Sequence, residues 1–235
     1  MRTFLLSILF AAIACAQPAF EVASIKPSIS GDGNESTNTT NDSLTMRNVS
    51  LRHIIQDAYN LKRYTLTAPD WVDNLRFDIN AKAEGKTKPD DFRVMLQSLL
   101  KERFQLKAHR EPKTMSAYAL LPAKTGFKLK PAEGDGSSTN STGNGGSVTL
   151  TCKHVSMVQL ADALSGRLDR PVVDQSGLPD AYDFTLEWNK GNSADETGPS
   201  IFTVLQEKLG LRLEQRKLPV EILVVDSVSR TPSEN

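Results

Sequence analysis

The chain has 235 residues, with 28 basic and 28 acidic side chains and a formal net charge of zero. Such balance supplies no field to gather nucleic acid or an anionic membrane surface, so neither is expected as a partner. Past the first residues no apolar run reaches membrane length, and two cysteines, Cys15 and Cys152, are too few for a disulfide framework.

Met1 to Ala16, MRTFLLSILFAAIACA, has one early arginine, an apolar run from Phe4 to Ile13 and then small residues. This is the pattern of a secretory signal peptide, so the chain is expected to be exported to the periplasm or the medium. Two processing routes are open: cleavage after Ala14-Cys15-Ala16, or lipid attachment at Cys15, against which Ala12 stands where a lipoprotein signal usually has leucine. A lipid at Cys15 would be the one expected link to a membrane. From Gln17 onward the chain has room for two domains of about 100 residues each.

FEVASIKP, residues 20–27, predicts a short strand stopped by Pro27. Residues 28–43 are Gly, Asn, Ser and Thr almost throughout and predict a mobile loop. The stretch from Asn48 to Ala83, NVSLRHIIQDAYNLKRYTLTAPDWVDNLRFDINAKA, organises the rest, because a similar pattern returns from His154 to Trp188. Val49-Ser50-Leu51 aligns with Val155-Ser156-Met157, Phe77 with Phe184, and the helix around Phe92 with that around Phe202. An internal duplication is read from this agreement.

In the first repeat Ser50 caps a helix with Leu51, Ile54, Ile55, Ala58 and Tyr59 on one face. His53 points away from that stripe as a solvated residue. Trp71 is open to two readings, a plug at the end of the helix–sheet core or an exposed platform. Arg76 to Ala83 predicts a strand, and Pro89 and Asp90 start a helix over 91–103. Phe104–His109 and Ser116–Leu121 read as two strands joined by a hairpin across Glu111-Pro112-Lys113-Thr114.

Pro131 to Ser147 is low-complexity and predicts a flexible linker, which divides the chain into a first unit at 17–130 and a second at 148–235. The second repeats the plan: strand 148–152, cap Ser156, helix 157–168, strands at 172–173 and 182–188, and helix 200–209 ended by Gly210. Strands 211–216 and 220–227 finish it. The fold class expected is α+β: two tandem similar units, each a mixed or antiparallel sheet with two helices on one face.

Chemistry-bearing residues are sparse. Cys152 lies on an inward-alternating strand and reads as a small buried hydrophobe. Asp169, Asp174, Asp180 and Asp183 stand beside Gly and Pro as turn formers, at spacings that fit no calcium loop. His53, His109 and His154 are the bases an enzyme would draw on, and none stands in a catalytic context. No catalytic residue, cofactor or metal ligand is therefore assigned.

Several motifs carry a resemblance: FEVASIKPS, APDWVDNLRFDINAKAEG, LLKERFQLKAHRE, the run Pro171 to Leu178 and YDFTLEW. Together they resemble the soil-associated family abundant in acidobacteria, domain of unknown function 3738. The resemblance implies export, no assigned activity, and kinship with domains attached to membrane sensors that respond to β-lactams. More weakly, each unit is similar to the short N-terminal domain of secretins and TonB-dependent receptors, which implies a small docking fold. The expected function is a non-catalytic docking module for an unknown envelope protein. The alternatives are a small-ligand carrier using a cleft between the units, or a hydrolase.

Overall fold

The computed structural model describes residues 18–29, 34–144, 146–189 and 198–234. The expected signal peptide, Cys15 included, and most of the 189–198 insert lie outside the described residues. The chain is α+β, with mixed sheets and four α-helices among the described residues. Its residues divide into two compact units, each assembled from separate stretches. The first unit takes the described residues of Met1–Leu61, Ala68–His109 and Val225–Asn235, and the second takes Lys62–Thr67 and Arg110–Val224.

In the first unit β1 (Val22–Pro27), β5 (Arg76–Lys82), β3 (Ser43–Ser50) and β2 (Ser36–Thr39) form one antiparallel sheet in that order. Inward residues follow the pleat at Phe77, Ile79 and Ala81 of β5 and at Leu44 and Met46 of β3. The alternation then breaks, because Val49 rather than Asn48 follows as the next apolar inward residue. Asn48 lies in the left-handed region at φ 53°, the ladder register shifts between Met46 and Val49, and the inserted residue returns Val49 to the core. The Asp78 carboxylate accepts the Asn48 backbone N–H at 2.7 Å and fixes this bulge.

Ser50 ends β3 and starts α1 (Leu51–Tyr59), its hydroxyl accepting the His53 backbone N–H. Leu51, Ile54, Ile55 and Ala58 are buried, and Asn60 ends the helix in the left-handed region at φ 51°. Pro89 begins α2 (Pro89–Arg103), with Asp90 and Asp91 in its first turn and Lys101 and Arg103 in its last, each favourable to the helix dipole. Its buried stripe of Phe92, Leu96, Leu99 and Leu100 closes the core.

The second unit repeats several of these devices. β10 (Ala181–Asn189), β8 (Ser147–Ser156) and β7 (Ser138–Asn144) form an antiparallel sheet. Val148, Leu150 and Cys152 of β8 point inward, and His154 at φ 49° inserts the extra residue that turns Val155 to the core. Here the Asp183 carboxylate accepts the His154 N–H at 2.7 Å. Ser156 then caps α3 (Met157–Ser165) in a reciprocal box with Gln159. α4 (Ile201–Val204) runs into a single π turn over Leu205–Leu209 and stops at Gly210. Buried side chains of β8, β10, α3 and this last helical segment share one core.

Two expectations about strands are corrected. Residues 107–122 form one strand, β6 (Lys107–Pro122), not two joined across Pro112; residues 211–227 likewise form one strand, β11 (Leu211–Ser227), through Pro219. With β4 (Leu66–Thr67) and β9 (Val172–Asp174) they order as β4-β11-β6-β9. β9 pairs with Tyr118–Leu120 and β4 with Leu223–Val224 alone, so at Pro112 and Pro219 each long strand has a side without a ladder. A proline lacks only the N–H such a side leaves unused.

The polar stretches are also more ordered than their composition suggests. β2 lies within 28–43, read as a mobile loop, and β7 lies within 131–147, read as a flexible linker. Ser, Thr and Asn bury little, but ladder bonds to an already formed neighbour, β3 or β8, place them.

Candidate functional site

Sheet edges differ sharply in how they are defended. β1 carries Lys26 and Pro27, β10 presents exposed Asp183 and Glu187, and β4 and β9 span only two and three residues. Charge, proline and shortness are the usual means by which an edge refuses a foreign strand. β2, Ser-Thr-Asn-Thr, and β7, Ser-Thr-Asn-Ser-Thr-Gly-Asn, have neither charge nor proline, and each ends its sheet among the described residues.

Both edges border a cleft within their own unit. Thr37 and Thr39, on the side of β2 that faces inward at Met46 and Leu44, line a cavity of about 500 Å³. Its floor is apolar, made by Leu44, Met46, Phe92 and Leu96. Gln56 and Asp57 of α1, with Asn60 at its C-terminal cap, form one wall, and Arg93 of α2, paired with Asp90, stands in another. Beside β7 a second cleft of about 620 Å³ is lined by Ser141, Thr142, Arg167 and Trp188 among others.

A charged cluster ties the chain ahead of β2 to the body of the first unit. Glu35 accepts from His53 Nδ1 at 2.6 Å, from Arg76 at 2.7 Å and from the Ser50 backbone N–H at 3.3 Å. Arg76 also donates to the Asn48 carbonyl, and Asn48 Nδ2 donates to the Asn34 carbonyl. Burial pushes the Glu35 carboxyl up, but the bonds from His53, Ser50 and Arg76 outweigh it and hold it below its usual value. On the other side of His53, Asp57 lies 3.6 Å from Nε2. Burial pushes Asp57 up, against the lowering pull of His53 and Arg93.

This arrangement predicts a pH-dependent stability. Because the folded-state pKa of Glu35 is depressed, its contribution is full above its unfolded value of about 4.3 and is lost as pH falls through the folded value. Glu35→Gln is therefore expected to cost about 1–2 kcal/mol at neutral pH, in the range of an exchanged charged hydrogen bond. The difference from the parent chain should close toward pH 3, as read from urea midpoints at both pH values.

The sequence-derived candidates scatter. His53 is half exposed, yet its ring sits between two carboxylates rather than in solvent alone. His109 pairs with Asp226 at 2.8 Å, far along the sequence. His154 serves the β8 bulge, and its Nδ1 is buried with no hydrogen-bond partner among the described residues. Asp183 latches that bulge, Asp174 accepts the Ser176 N–H in a turn, and Asp169 pairs with Arg170. Among the described residues no group of three His, Cys, Asp or Glu is placed to hold a metal. Cys152 is fully buried, and burial raises its thiol to about 11. Trp71 is partly exposed, with the Arg230 guanidinium 4.9 Å above its ring, while its neighbour Val72 takes the buried place.

Glu35, Asp57, Arg76 and the β2 threonines escaped sequence reasoning. Glu35 and Arg76 are 41 positions apart and meet only through the fold. The break in apolar alternation at Asn48 was the one readable sign of the bulge to which they attach.

The fold is thus that of an α+β protein with mixed sheets, two of whose edge strands among the described residues, β2 and β7, carry no charge. The chain belongs to the family described as a protein of unknown function, DUF3738, whose model matches residues 52–228. No curated protein and no solved structure matches the chain.

Proposed function

We propose that this chain is an exported docking protein that accepts an extended, uncharged segment of an envelope partner by strand addition at β2 and β7. The observation that carries this reading is the contrast between edges: β2 and β7 carry neither the charge of β1 and β10 nor the proline of β1, and both are longer than β4 and β9. An added strand gains main-chain hydrogen bonds along the edge, and its alternate side chains stand on the two faces of the sheet. A charged segment would bring an unpaired ion against Thr, Asn and Ser, so an uncharged sequence with β-branched residues fits best. Export is read from the composition of residues 1–16, and a lipid at Cys15 would hold the module at a membrane.

The recurrence of bulge, carboxylate latch and serine cap at Asn48/Asp78/Ser50 and His154/Asp183/Ser156 supports a duplicated module with one open edge in each copy. Two equivalent edges would let one partner with two segments bind with avidity.

The test adds the missing guards. Asn38 and Asn140 are exposed mid-strand residues, so Asn38→Lys and Asn140→Lys should leave the fold intact. The chain from Gln17 to Asn235, with and without both substitutions, would be used as bait in envelope extract. Retention of a partner by the parent chain and at least a roughly ten-fold loss in the double variant is expected, a change of about 1.4 kcal/mol. Equal retention by a double variant shown to be folded would overturn strand addition.

A further inference from the structure

The cleft beside β2 has a chemistry that strand docking does not use. Strand addition engages the backbone of the β2 edge, whereas the cavity of about 500 Å³ is walled by side chains. We propose that it is a binding site for a small neutral saccharide, one to three sugar units in size.

Charge narrows the choice first. Asp57 and Arg93 are the ionisable groups lining the cavity, they are of opposite sign, and Arg93 is already paired with Asp90. A phosphate or nucleotide would find a single cation there, already paired with Asp90 and offset by the Asp57 carboxylate, and an ammonium ligand would find that carboxylate offset by Arg93 and His53. A wholly apolar ligand would strip water from the threonine, asparagine and glutamine groups without replacing its hydrogen bonds, at a cost of about 1–3 kcal/mol for each group.

Hydroxyl groups meet the remaining requirements. Each donates and accepts at once, matching the Thr37 and Thr39 hydroxyls and the Asn41, Gln56 and Asn60 amides, which offer both functions, and the Thr87 hydroxyl, which donates to the Gly85 carbonyl and can still accept. Asp57 can accept from two vicinal hydroxyls. The floor of Leu44, Met46, Phe92 and Leu96 suits the C–H face of a pyranose ring. The volume falls in the range of about 300–1,000 Å³ typical of small-molecule sites.

The site is tested on the chain from Gln17 to Asn235 by titration with methyl β-D-glucoside, N-acetylglucosamine, xylose and cellobiose, followed by calorimetry and by NMR of side-chain amides. Inorganic phosphate and butylammonium serve as charged comparators. At least one saccharide is expected to bind with the Gln56 and Asn60 amide signals shifting, and neither comparator to do so. Asp57→Asn, which keeps the shape, and Asn60→Gly, which keeps the left-handed helix end at φ 51° while deleting the amide, should each weaken binding about ten-fold without changing the unfolding midpoint. No response to any saccharide at tens of millimolar, tighter binding of a comparator, or shifts confined to other surfaces would each overturn the proposal. No protein partner takes part in this titration, so its outcome is independent of the docking reading.

Discussion

Gly210→Ala is expected to cost the second unit about 2–5 kcal/mol, the sum of two separate penalties. Gly210 ends the last helical segment in the left-handed region, φ 68° and ψ 32°, where an L side chain costs about 1–2 kcal/mol. A Cβ there would also lie 1.9 Å from the Gly126 carbonyl oxygen and 2.9 Å from its carbon. Neither is the yielding end of a side chain: the segment carrying Gly126 is fastened by Lys128 N–H to the Leu209 carbonyl and by Ala123 N–H to that of Gly210, at 3.0 and 2.8 Å. Forcing it apart adds the roughly 1–3 kcal/mol of an overpacked site. Gly177→Ala separates the two penalties, since Gly177 has φ 70° but nothing within 4 Å of a new Cβ. It should lose only the conformational part. Equal unfolding midpoints for the two variants would contradict the close approach at Gly126.

Phe104→Ala should destabilise the first unit by about 3–5 kcal/mol, the range for deleting a fully buried aromatic. Phe104 has no exposed surface and meets the Phe77 ring edge-on, with centroids 5.0 Å apart. That geometry adds to area burial by about 0.5–1.5 kcal/mol. The residue also ends α2, its N–H returning to the Leu100 carbonyl while its own carbonyl accepts the Ser229 N–H at 2.7 Å. Loss of the ring therefore loosens the helix end and the chain's final stretch together. Phe104→Leu keeps most of the volume and should cost less than half as much. A urea midpoint for Phe104→Ala close to that of the parent chain would mean that Phe104 is not the packing centre its burial describes.

Local signals in the sequence were legible where one short-range interaction decides. Ser50 and Ser156 cap their helices, the apolar stripe of α1 is buried as spaced except at its last member, Tyr59, which is partly exposed, and Gly210 takes the left-handed end its position suggested. What could not be read depends on partners distant in sequence. Pro112 and Pro219 look like turns because proline removes a donor; only the shortness of β9 and β4 leaves the free sides that let β6 and β11 run through them. β2 and β7 look like loops because Ser, Thr and Asn carry no apolar period, and their order comes from β3 and β8. The same blandness hid their significance. An edge without charge or proline is a pattern of omissions, visible only once the topology shows which strands are edges. The cleft was hidden for a similar reason, since Thr37, Asp57 and Arg93 come from three elements with no motif between them.

The most direct measurement of the docking account is hydrogen exchange along the backbone, with the retained partner bound and without it. Slowed exchange concentrated at Ser36–Thr39 and Ser138–Asn144, with β1 and β10 unchanged, is the predicted result. Protection on other surfaces, or none at these two edges in a complex that demonstrably forms, would contradict it.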